Sequence, residues 1–230
     1  MSKESNEIIN FYTKLDPGKQ IITPNPNFNK HNLKIPFRGI INAPSGSGKT
    51  NFLVNIISKF CAGKGTFDSI TIITKNKEEE LYDYLGEKGV VIKEGLKNIP
   101  ILDDYDKTVA HLLVFDDLLT TKNISVISDY YLRCRKLNVS ALFLGQRYYD
   151  VPKIIRENCN YLFILKMGNV RDVKLIMSEY SLGVTNDQLL NMYTKSVAQK
   201  FNVLTIDKEI DDEKKKFRHN LLEYLDPNDF

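Results

Sequence analysis

A run of eight residues in this 230-residue chain has the composition of a phosphate-binding loop. In order, the run is Ala43, Pro44, Ser45, Gly46, Ser47, Gly48, Lys49 and Thr50. It matches the pattern G-x-x-x-x-G-K-[ST] except at the first position, where alanine replaces glycine. Phosphate binding needs consecutive backbone N–H groups that point inward, and the two glycines let the loop wrap closely around a β-phosphate. Residues 44–50 are therefore predicted to bind ATP.

Two side chains of this loop are suited to phosphoryl chemistry. Lys49 would bridge the β- and γ-phosphates, and the hydroxyl of Thr50 would be a ligand of Mg²⁺. We therefore predict that Lys49 is a catalytic residue, that Thr50 binds the metal, and that ATP and Mg²⁺ are the cofactors.

An apolar run that ends in two acidic residues is the second candidate. Residues 112–115 are apolar, and Asp116 and Asp117 follow them. The pattern resembles a Walker B motif, in which Asp116 would hold Mg²⁺ through its water shell and Asp117 would orient and polarise the attacking water. Two acids after a strand usually form a turn, and it is the phosphate loop in the same chain that favours catalysis.

Gln146 is the third candidate, because it follows the apolar run 141–144 and Gly145. Ligands of open α/β sheets bind at the carboxyl ends of the strands. A side-chain amide at that position could bond the γ-phosphate or the attacking water, and so report whether hydrolysis has occurred. The alternative is that Gln146 is an ordinary turn residue.

Strands and helices must position these candidates. From Phe37 onward, short apolar runs alternate with segments of helical periodicity, which is typical of a central, mostly parallel sheet flanked by helices. The predicted strands are residues 37–41, 69–74, 89–92, 112–115, 140–145, 161–165 and 202–206. The predicted helices are the segment after the loop and residues near 77–85, 123–136, 150–157, 170–180 and 185–197.

The chain divides into three predicted segments. Residues 1–36 are rich in proline and asparagine and are expected to form an extended N-terminal arm. Residues 37–206 are expected to form a P-loop ATPase domain. Residues 207–230 are highly charged and are expected to form a solvated helix or tail.

The composition, 42% hydrophobic and 27% charged, is typical of one soluble globular domain. A net charge of +3 is too small to indicate nucleic-acid binding by itself, although a ring would concentrate the basic groups of its subunits around a channel. Three cysteines without a CxxC or Cys/His group argue against zinc and disulfides. No signal peptide and no apolar run near the ~20 residues of a membrane span are found, so we expect a soluble intracellular protein.

The segment from Arg135 to Asn158 resembles the poxvirus-type DNA-packaging ATPases of large DNA viruses and virophages, a branch of the FtsK/HerA superfamily. Its sequence is RKLNVSALFLGQRYYDVPKIIREN. The resemblance spans residues 38–166, and the pair Asp116-Asp117 also fits this branch. It implies an α/β P-loop NTPase fold of the additional-strand, RecA-like type. In that fold the strand before Gln146 lies between the P-loop strand and the Walker B strand.

The resemblance also implies a ring in which an arginine of one subunit completes the site of its neighbour and stabilises charge in the transition state. Arg135 is the first candidate, because it matches the arginine before the strand in the family motif. Arg156 is the second candidate and Arg133 the third. Each of the three could equally be an ordinary surface arginine.

The function that the resemblance implies is an ATP-driven translocase that packages double-stranded DNA into a preformed capsid. The expected partners are double-stranded DNA, gripped through its phosphates without sequence preference, a homo-oligomeric ring of five or six subunits, and capsid or portal-vertex proteins. The expected locations are the virus factory in the host-cell cytoplasm and the virion. Arg147, Tyr148 and Tyr149 could contact DNA, but the tyrosines could equally pack in the core.

Two other functions stay open. One is a P-loop nucleotide kinase, against which we note that no arginine-rich lid follows the core and that an acidic pair suits water activation. The other is an ATP-bound capsid assembly factor without motor activity. The intact set of Lys49, Thr50, Asp116 and Asp117 argues against an inactive site.

Overall fold

The computed structural model describes residues 23–118 and 124–230 of the chain, together with Phe11 and Lys14. The described strands form a single sheet. In chain order the strands β1 to β9 are Arg38–Asn42, Ser69–Thr74, Val91–Glu94, His111–Asp116, Val139–Gly145, Tyr161–Ile164, Leu204–Asp207, Phe217–His219 and Glu223–Tyr224. The α-helices α1 to α7 of the described residues are Phe28–His31, Lys49–Phe60, Glu80–Glu87, Ile124–Arg133, Lys153–Asn158, Val170–Glu179 and Asn186–Ser196. Within the sheet the strands follow the order β3-β2-β4-β5-β1-β6-β7-β8-β9.

Strand β5 lies between β1 and β4 and pairs parallel with both. Asn42 at the end of β1 is opposite Gly145, and Asp116 at the end of β4 is opposite Leu144. The predicted α/β fold, with a strand inserted between the loop strand and the Walker B strand, is therefore confirmed. Because the three strands end at the same level, the residues that follow them meet at one edge of the sheet.

Helices cover both faces of the sheet, and alternate side chains of β4 pack against the helices on opposite faces. Leu112 and Val114 pack in the layer that contains α2, whereas Leu113 and Phe115 pack in the layer that contains α4. Successive side chains of a strand point to opposite faces, so a strand buried on both sides is a continuous apolar run. On the α4 side, the ring centroids of Phe115 and Tyr130 are 5.4 Å apart, in an edge-to-face arrangement.

The seven predicted strands begin and end within two residues of the predicted positions, and the helices predicted with bounds within about three, whereas β8, β9 and the short α1 were not predicted. The third strand begins at Val91 because Gly89, with φ +87°, belongs to the turn after α3. Helix α4 ends at Arg133, and a short 3₁₀ helix continues to Leu137. Residue 123, where the helix was predicted to begin, lies outside the described residues.

The expectation of a solvated helix or tail over residues 207–230 is wrong. Strand β8 pairs antiparallel with β7, and β9 with β8, so this segment extends the sheet. Arg218 is 1% exposed, and its Nη2 donates to Oδ2 of Asp207 at 2.9 Å. The expectation rested on the density of charge, and the charged run 211–216 is largely exposed, but strands β7 and β8 lie on either side of it.

The N-terminal arm is expected over residues 1–36, but residues 23–36 pack against the domain. Asn27 Nδ2 donates to the carbonyl oxygens of Phe60 and Ala62 at 3.0 and 2.9 Å, and thereby bonds the end of α2. The side chains of His31 and Leu33 are fully buried. This part of the segment is therefore a component of the core, and the rest of the predicted arm lies outside the described residues, apart from Phe11 and Lys14.

His31 is buried as a neutral base. Its Nδ1 accepts a hydrogen bond from the backbone N–H of Leu33 at 3.0 Å, and its ring packs edge-on against Phe60 with centroids 4.8 Å apart. Burial, and to a smaller extent the positive charges of Arg218 and Lys59, lower the pKa of His31 from 6.5 to about 4.

We predict that His31 makes the fold sensitive to mild acid. Because its pKa is 6.5 unfolded and about 4 folded, the unfolded chain binds more protons below pH 6.5, so stability is lost as pH falls toward 4. Between pH 7 and pH 5 the free energy of unfolding should fall by about 1–2 kcal/mol more in the unmodified protein than in the variant His31→Asn. In that variant the amide oxygen can still accept the hydrogen bond from the N–H of Leu33. Urea unfolding at both pH values measures this, and equal losses would contradict it.

Candidate active site

The predicted phosphate loop joins β1 to α2, and its backbone needs glycine at two positions. Gly46 and Gly48 have φ values of +72° and +94°, in the left-handed region that side chains other than glycine rarely adopt. A Cβ on Gly48 would also collide with the ring of Phe201. Helix α2 begins at Lys49, directly after Gly48, so its free N–H groups face the loop.

Ala43, the departure from the motif, does not disturb the loop. Its side chain is fully buried, and its N–H donates to the carbonyl oxygen of Gly145 at 3.1 Å. Ala43 therefore continues the pairing of β1 with β5 before the loop begins. Its backbone has no positive φ, so glycine is not required there.

Lys49 lies across the loop. Its Nζ donates to the carbonyl oxygens of Ala43 and Pro44 at 2.9 and 3.2 Å. Burial lowers the pKa of Lys49, while the nearby carboxylates of Asp116 and Asp117 act in the opposite direction. The ammonium group is thus bonded to the loop itself, near enough to the acidic pair to be affected by its charge.

Asp116 is buried at the end of β4 and is fixed by two hydroxyl donors. Its Oδ2 accepts from Tyr82 of α3 at 2.5 Å and from Thr74 of β2 at 3.2 Å. Burial raises the pKa of Asp116, and the two hydrogen bonds act in the opposite direction by stabilising the carboxylate. The carboxylate is therefore oriented by neighbouring elements before any ligand approaches.

Asp117 and Gln146 are joined directly. Gln146 Nε2 donates to Asp117 Oδ1 at 3.0 Å, and both side chains are exposed at the carboxyl edge of the sheet. Asp117 has φ +51°, a conformation that aspartate adopts more readily than most residues. This turn directs its carboxylate away from β4 and toward Gln146.

The candidates line one cleft of about 360 Å³. It is lined by Ser45, Gly46, Gly48, Lys49, Thr50, Glu79, Asp116, Asp117 and Gln146, with Asn51 and Leu81 at its sides. Every predicted catalytic or metal residue except the arginines is in this set. Pro44 and Ser47 belong to the same loop but not to the lining.

Glu79 is a charged residue of the cleft that no sequence motif indicated. It follows β2 and directly precedes α3, and it faces the hydroxyl of Thr50. Burial raises the pKa of Glu79, and the hydrogen bond from Thr50 opposes that shift. The run Lys75 to Glu80 has the charge of a solvated turn, and only the pairing of β2 with β4 brings it to the cleft.

The three candidate arginines lie at the other edge of the sheet. Arg133 and Arg135 precede β5, and Arg156 is on α5, which precedes β6, so they lie near the amino ends of parallel strands. The structure does not bring any of them to the cleft of their own chain, as the lining of that cleft shows.

These arginines differ in their own contacts. Arg135 pairs with Glu209 at 3.1 Å and is half exposed. Arg133 pairs with Asp103 and Asp129 at 2.7 and 2.9 Å and is equally exposed.

Arg156 is more enclosed than the other two candidates. It pairs with Glu179, lies over the ring of Tyr148, and has a side chain that is only 11% exposed.

The two tyrosines beside Gln146 have different environments. Tyr148 is fully buried, and its hydroxyl donates to Glu179 at 2.8 Å, so it is a core residue. Tyr149 is half exposed, and the guanidinium of Arg171 lies 3.7 Å from its ring centroid. Of this pair, only Tyr149 is available to a partner.

Neither a clustered metal site nor a membrane-spanning helix is found among the described residues. No three His, Cys, Asp or Glu side chains gather there in a group that could hold a metal ion. No helix in the same part of the chain combines the length and apolar character needed to cross a membrane.

The family model described as "Poxvirus A32 protein" matches residues 25–219. DNA packaging protein OPG160 of Vaccinia virus (strain Copenhagen) is 24% identical over 182 residues, which cover 72% of this chain and 66% of that protein. The protein of the same name from Monkeypox virus is also 24% identical, over 59% of its own length. The matched region thus spans less than two thirds of the length of each of these relatives.

Solved structures share the fold at low sequence identity. The genome packaging NTPase B204 of Sulfolobus turreted icosahedral virus 2, in complex with AMP, has a TM-score of 0.56 at 11% identity, covering 82% of this chain and 98% of that chain. VirB4 of Thermoanaerobacter pseudethanolicus has a TM-score of 0.53 at 12% identity, covering 81% and 89%.

We predict opposite effects of alanine at two glycines. Gly48→Ala should lower stability by about 1–3 kcal/mol, because φ +94° and the contact with Phe201 both exclude a Cβ. The control Gly86→Ala, in α3 with no atom within 4 Å of an added Cβ, should raise stability by about 0.5–1 kcal/mol. Thermal or urea unfolding compares them, and a neutral Gly48→Ala would contradict the geometry.

Proposed function

The chain belongs to the poxvirus A32 protein family, and on that premise we propose that it is an ATP-driven translocase that packages double-stranded viral DNA into a preformed capsid. The observation that carries the proposal is the single cleft in which the loop, the two aspartates and Gln146 meet. Relatives named for DNA and genome packaging support it.

The loop would bind the phosphates of ATP. Its N–H groups and the N-terminus of α2 form an anion site, and residues 44–50 would surround the β-phosphate. Lys49 donates to two carbonyl oxygens, and a phosphate oxygen would be a stronger, charge-assisted acceptor for the same ammonium. Lys49 would therefore turn from the loop carbonyls to the β- and γ-phosphates.

Asp117 and Gln146 would act on the attacking water. Hydrolysis requires a water that attacks the γ-phosphorus as the bond to the β-phosphate oxygen breaks. Asp117 would accept a hydrogen bond from that water and polarise it, while the amide of Gln146 orients the carboxylate. Because Gln146 would also face the γ-phosphate in this arrangement, loss of that phosphate would alter this hydrogen-bonded pair, and Gln146 would act as a sensor.

The oxygen ligands of the cleft fit Mg²⁺. This ion is usually held by one or two protein oxygens together with substrate phosphates, so a cleft without three clustered ligands suits it. Thr50 and Asp116 would hold it, and Glu79, which faces Thr50, would accept hydrogen bonds from its water shell. When bound, the ion would neutralise charge on the phosphates.

A ring would complete the site. Because the candidate arginines lie at the amino edge and the cleft at the carboxyl edge, an arginine could reach a cleft only on a neighbouring subunit. Arg135 remains the first choice, since its half-exposed guanidinium is held by one partner, Glu209. Arg133 is as exposed but has two acidic partners, and Arg156 is largely enclosed.

The remaining parts of the proposal concern partners and location. We propose a homo-oligomeric ring of five or six subunits that grips DNA through its phosphates, with Arg147 and Tyr149 beside Gln146 as candidate contacts. Capsid or portal-vertex proteins would anchor the ring. It would act in the virus factory of the host-cell cytoplasm and remain associated with the virion.

We predict that Lys49→Ala abolishes hydrolysis and packaging together. Phosphate release should fall at least ~100-fold, because a preorganised charge at the transferred phosphate is lost. The control Lys64→Ala removes an exposed lysine from the turn after α2 and should leave the rate unchanged. The assay is phosphate release with and without double-stranded DNA.

This assay and two further measurements, of phosphate transfer to a nucleotide and of genome filling, separate the alternatives. DNA should stimulate phosphate release by the unmodified protein, and a rate indifferent to DNA would contradict a translocase. Phosphate transfer to a nucleotide acceptor in preference to water would indicate a kinase. Genome filling that survives Lys49→Ala would indicate an assembly factor in which ATP is only a structural ligand.

We predict that Asp117→Asn and Gln146→Ala reduce the rate of hydrolysis more than they reduce ATP affinity. Asp117→Asn should lower kcat by about 10²–10⁴-fold, as expected for loss of a group that polarises water. Since the two side chains are hydrogen-bonded, the increase in activation free energy in the double variant should be smaller than the sum of the increases in the two single variants. Steady-state kinetics and equilibrium ATP binding test this, and fully additive losses would contradict a joint role.

A further inference from the structure

A second cleft, of about 510 Å³, adjoins the phosphate cleft. Its lining includes Phe52, Phe201, Asn202, His219 and Leu222. Asn51, which directly follows Thr50 in the first turn of α2, lines both clefts. A ligand bound at the phosphate loop can therefore continue into the second cleft without leaving the surface of the protein.

Phe201 is the unusual residue of this cleft. It lies between α7 and β7 with φ +73°, a backbone conformation that is a genuine outlier for a bulky residue. The residue is 45% exposed, yet one part of its ring packs against Gly48 so closely that a Cβ there would collide with it. A strained backbone that presents an aromatic ring to a cleft, beside a phosphate loop, suggests that the ring serves a ligand.

The polar groups around Phe201 are preorganised. Asn220 Oδ1 accepts from the N–H of Val203 at 3.1 Å, and its Nδ2 contacts His219 Nε2 at 3.1 Å and Asn202 Oδ1 at 3.4 Å. These bonds tie β8 to the segment that enters β7 and fix the orientation of Asn202 beside the ring. An amide next to an aromatic face offers the donor and acceptor that the edge of a purine can pair with.

The path of a nucleotide agrees with this arrangement. With the β- and γ-phosphates in the loop, the α-phosphate would lie toward the first turn of α2, where Asn51 separates the two clefts. The sugar and base would then extend over Asn51 toward Phe201. The volume of the second cleft falls within the roughly 300–1,000 Å³ typical of small-molecule sites.

We infer that this second cleft receives the purine base of the bound nucleotide, with the ring of Phe201 as its stacking face and Asn202 at its edge. The inference rests on the proposed function, because it assumes that the phosphate loop binds a nucleoside triphosphate. It adds a base-binding site built by the antiparallel C-terminal part of the sheet, which carries none of the motif residues.

The test compares ATP with inorganic tripolyphosphate, each with Mg²⁺, by isothermal titration calorimetry. Phe201→Gly removes the ring and suits a positive φ, and Phe201→Asn is a second variant that tolerates it. Both should weaken ATP binding about 10-fold or more, as expected for loss of a base-stacking ring, and leave tripolyphosphate binding within about 2-fold. Phe201→Tyr, which keeps the ring, should bind both ligands as the unmodified protein does.

The outcomes separate this inference from the proposed function. Equal weakening of both ligands by Phe201→Gly and Phe201→Asn would mean that the ring only supports Gly48, and would overturn the inference. So would ATP binding no tighter than tripolyphosphate in the unmodified protein, although the phosphate site would stand. Lys49→Ala should weaken both ligands. Failure of the unmodified protein to bind either would overturn the proposed function as well.

Discussion

The parallel pairing of β5 with both β1 and β4 is the constraint on which the site depends. It sets the ends of the loop strand, the Gln146 strand and the Asp116 strand at one level, so three segments far apart in the chain converge. The position of the loop relative to the acidic pair depends on this register. A shift of one residue in β5 would also turn its side chains to the wrong faces of a sheet that is buried on both sides.

Hydrogen bonds from neighbouring elements fix the orientation of the two aspartates of the site. Tyr82 and Thr74 bond Asp116 from two different elements, and Gln146 bonds Asp117. Burial alone would favour a protonated Asp116, and the hydroxyl donors counteract that tendency. The cost of placing a carboxylate in the interior is thus offset by fixed dipoles, which also spare the site from reorganising when charge arrives.

The sequence predicted those parts of the site that belong to short motifs of consecutive residues. The loop, Asp116, Asp117 and Gln146 each belong to a short pattern with a physical reason, and strand periodicity gave the sheet. Glu79 and Phe201 escaped because their positions come from sheet order and from contact with Gly48, which no local pattern encodes. Residues 207–230 were predicted as a helix or tail from their charge, but that charge is concentrated in the exposed segment 211–216, whereas the pairing of the following strands depends on non-local contacts such as that of Arg218 with Asp207.

The contact between Phe201 and Gly48 joins the two ends of the domain thermodynamically. The loop comes early in the chain, whereas Phe201 belongs to the turn that leads into the antiparallel strands. Linkage is reciprocal, so a ligand that tightened this contact would stabilise the strand unit by the same free energy that the strand unit adds to ligand binding. On the proposed function, the stability of the C-terminal strands would therefore depend on whether the loop holds a ligand.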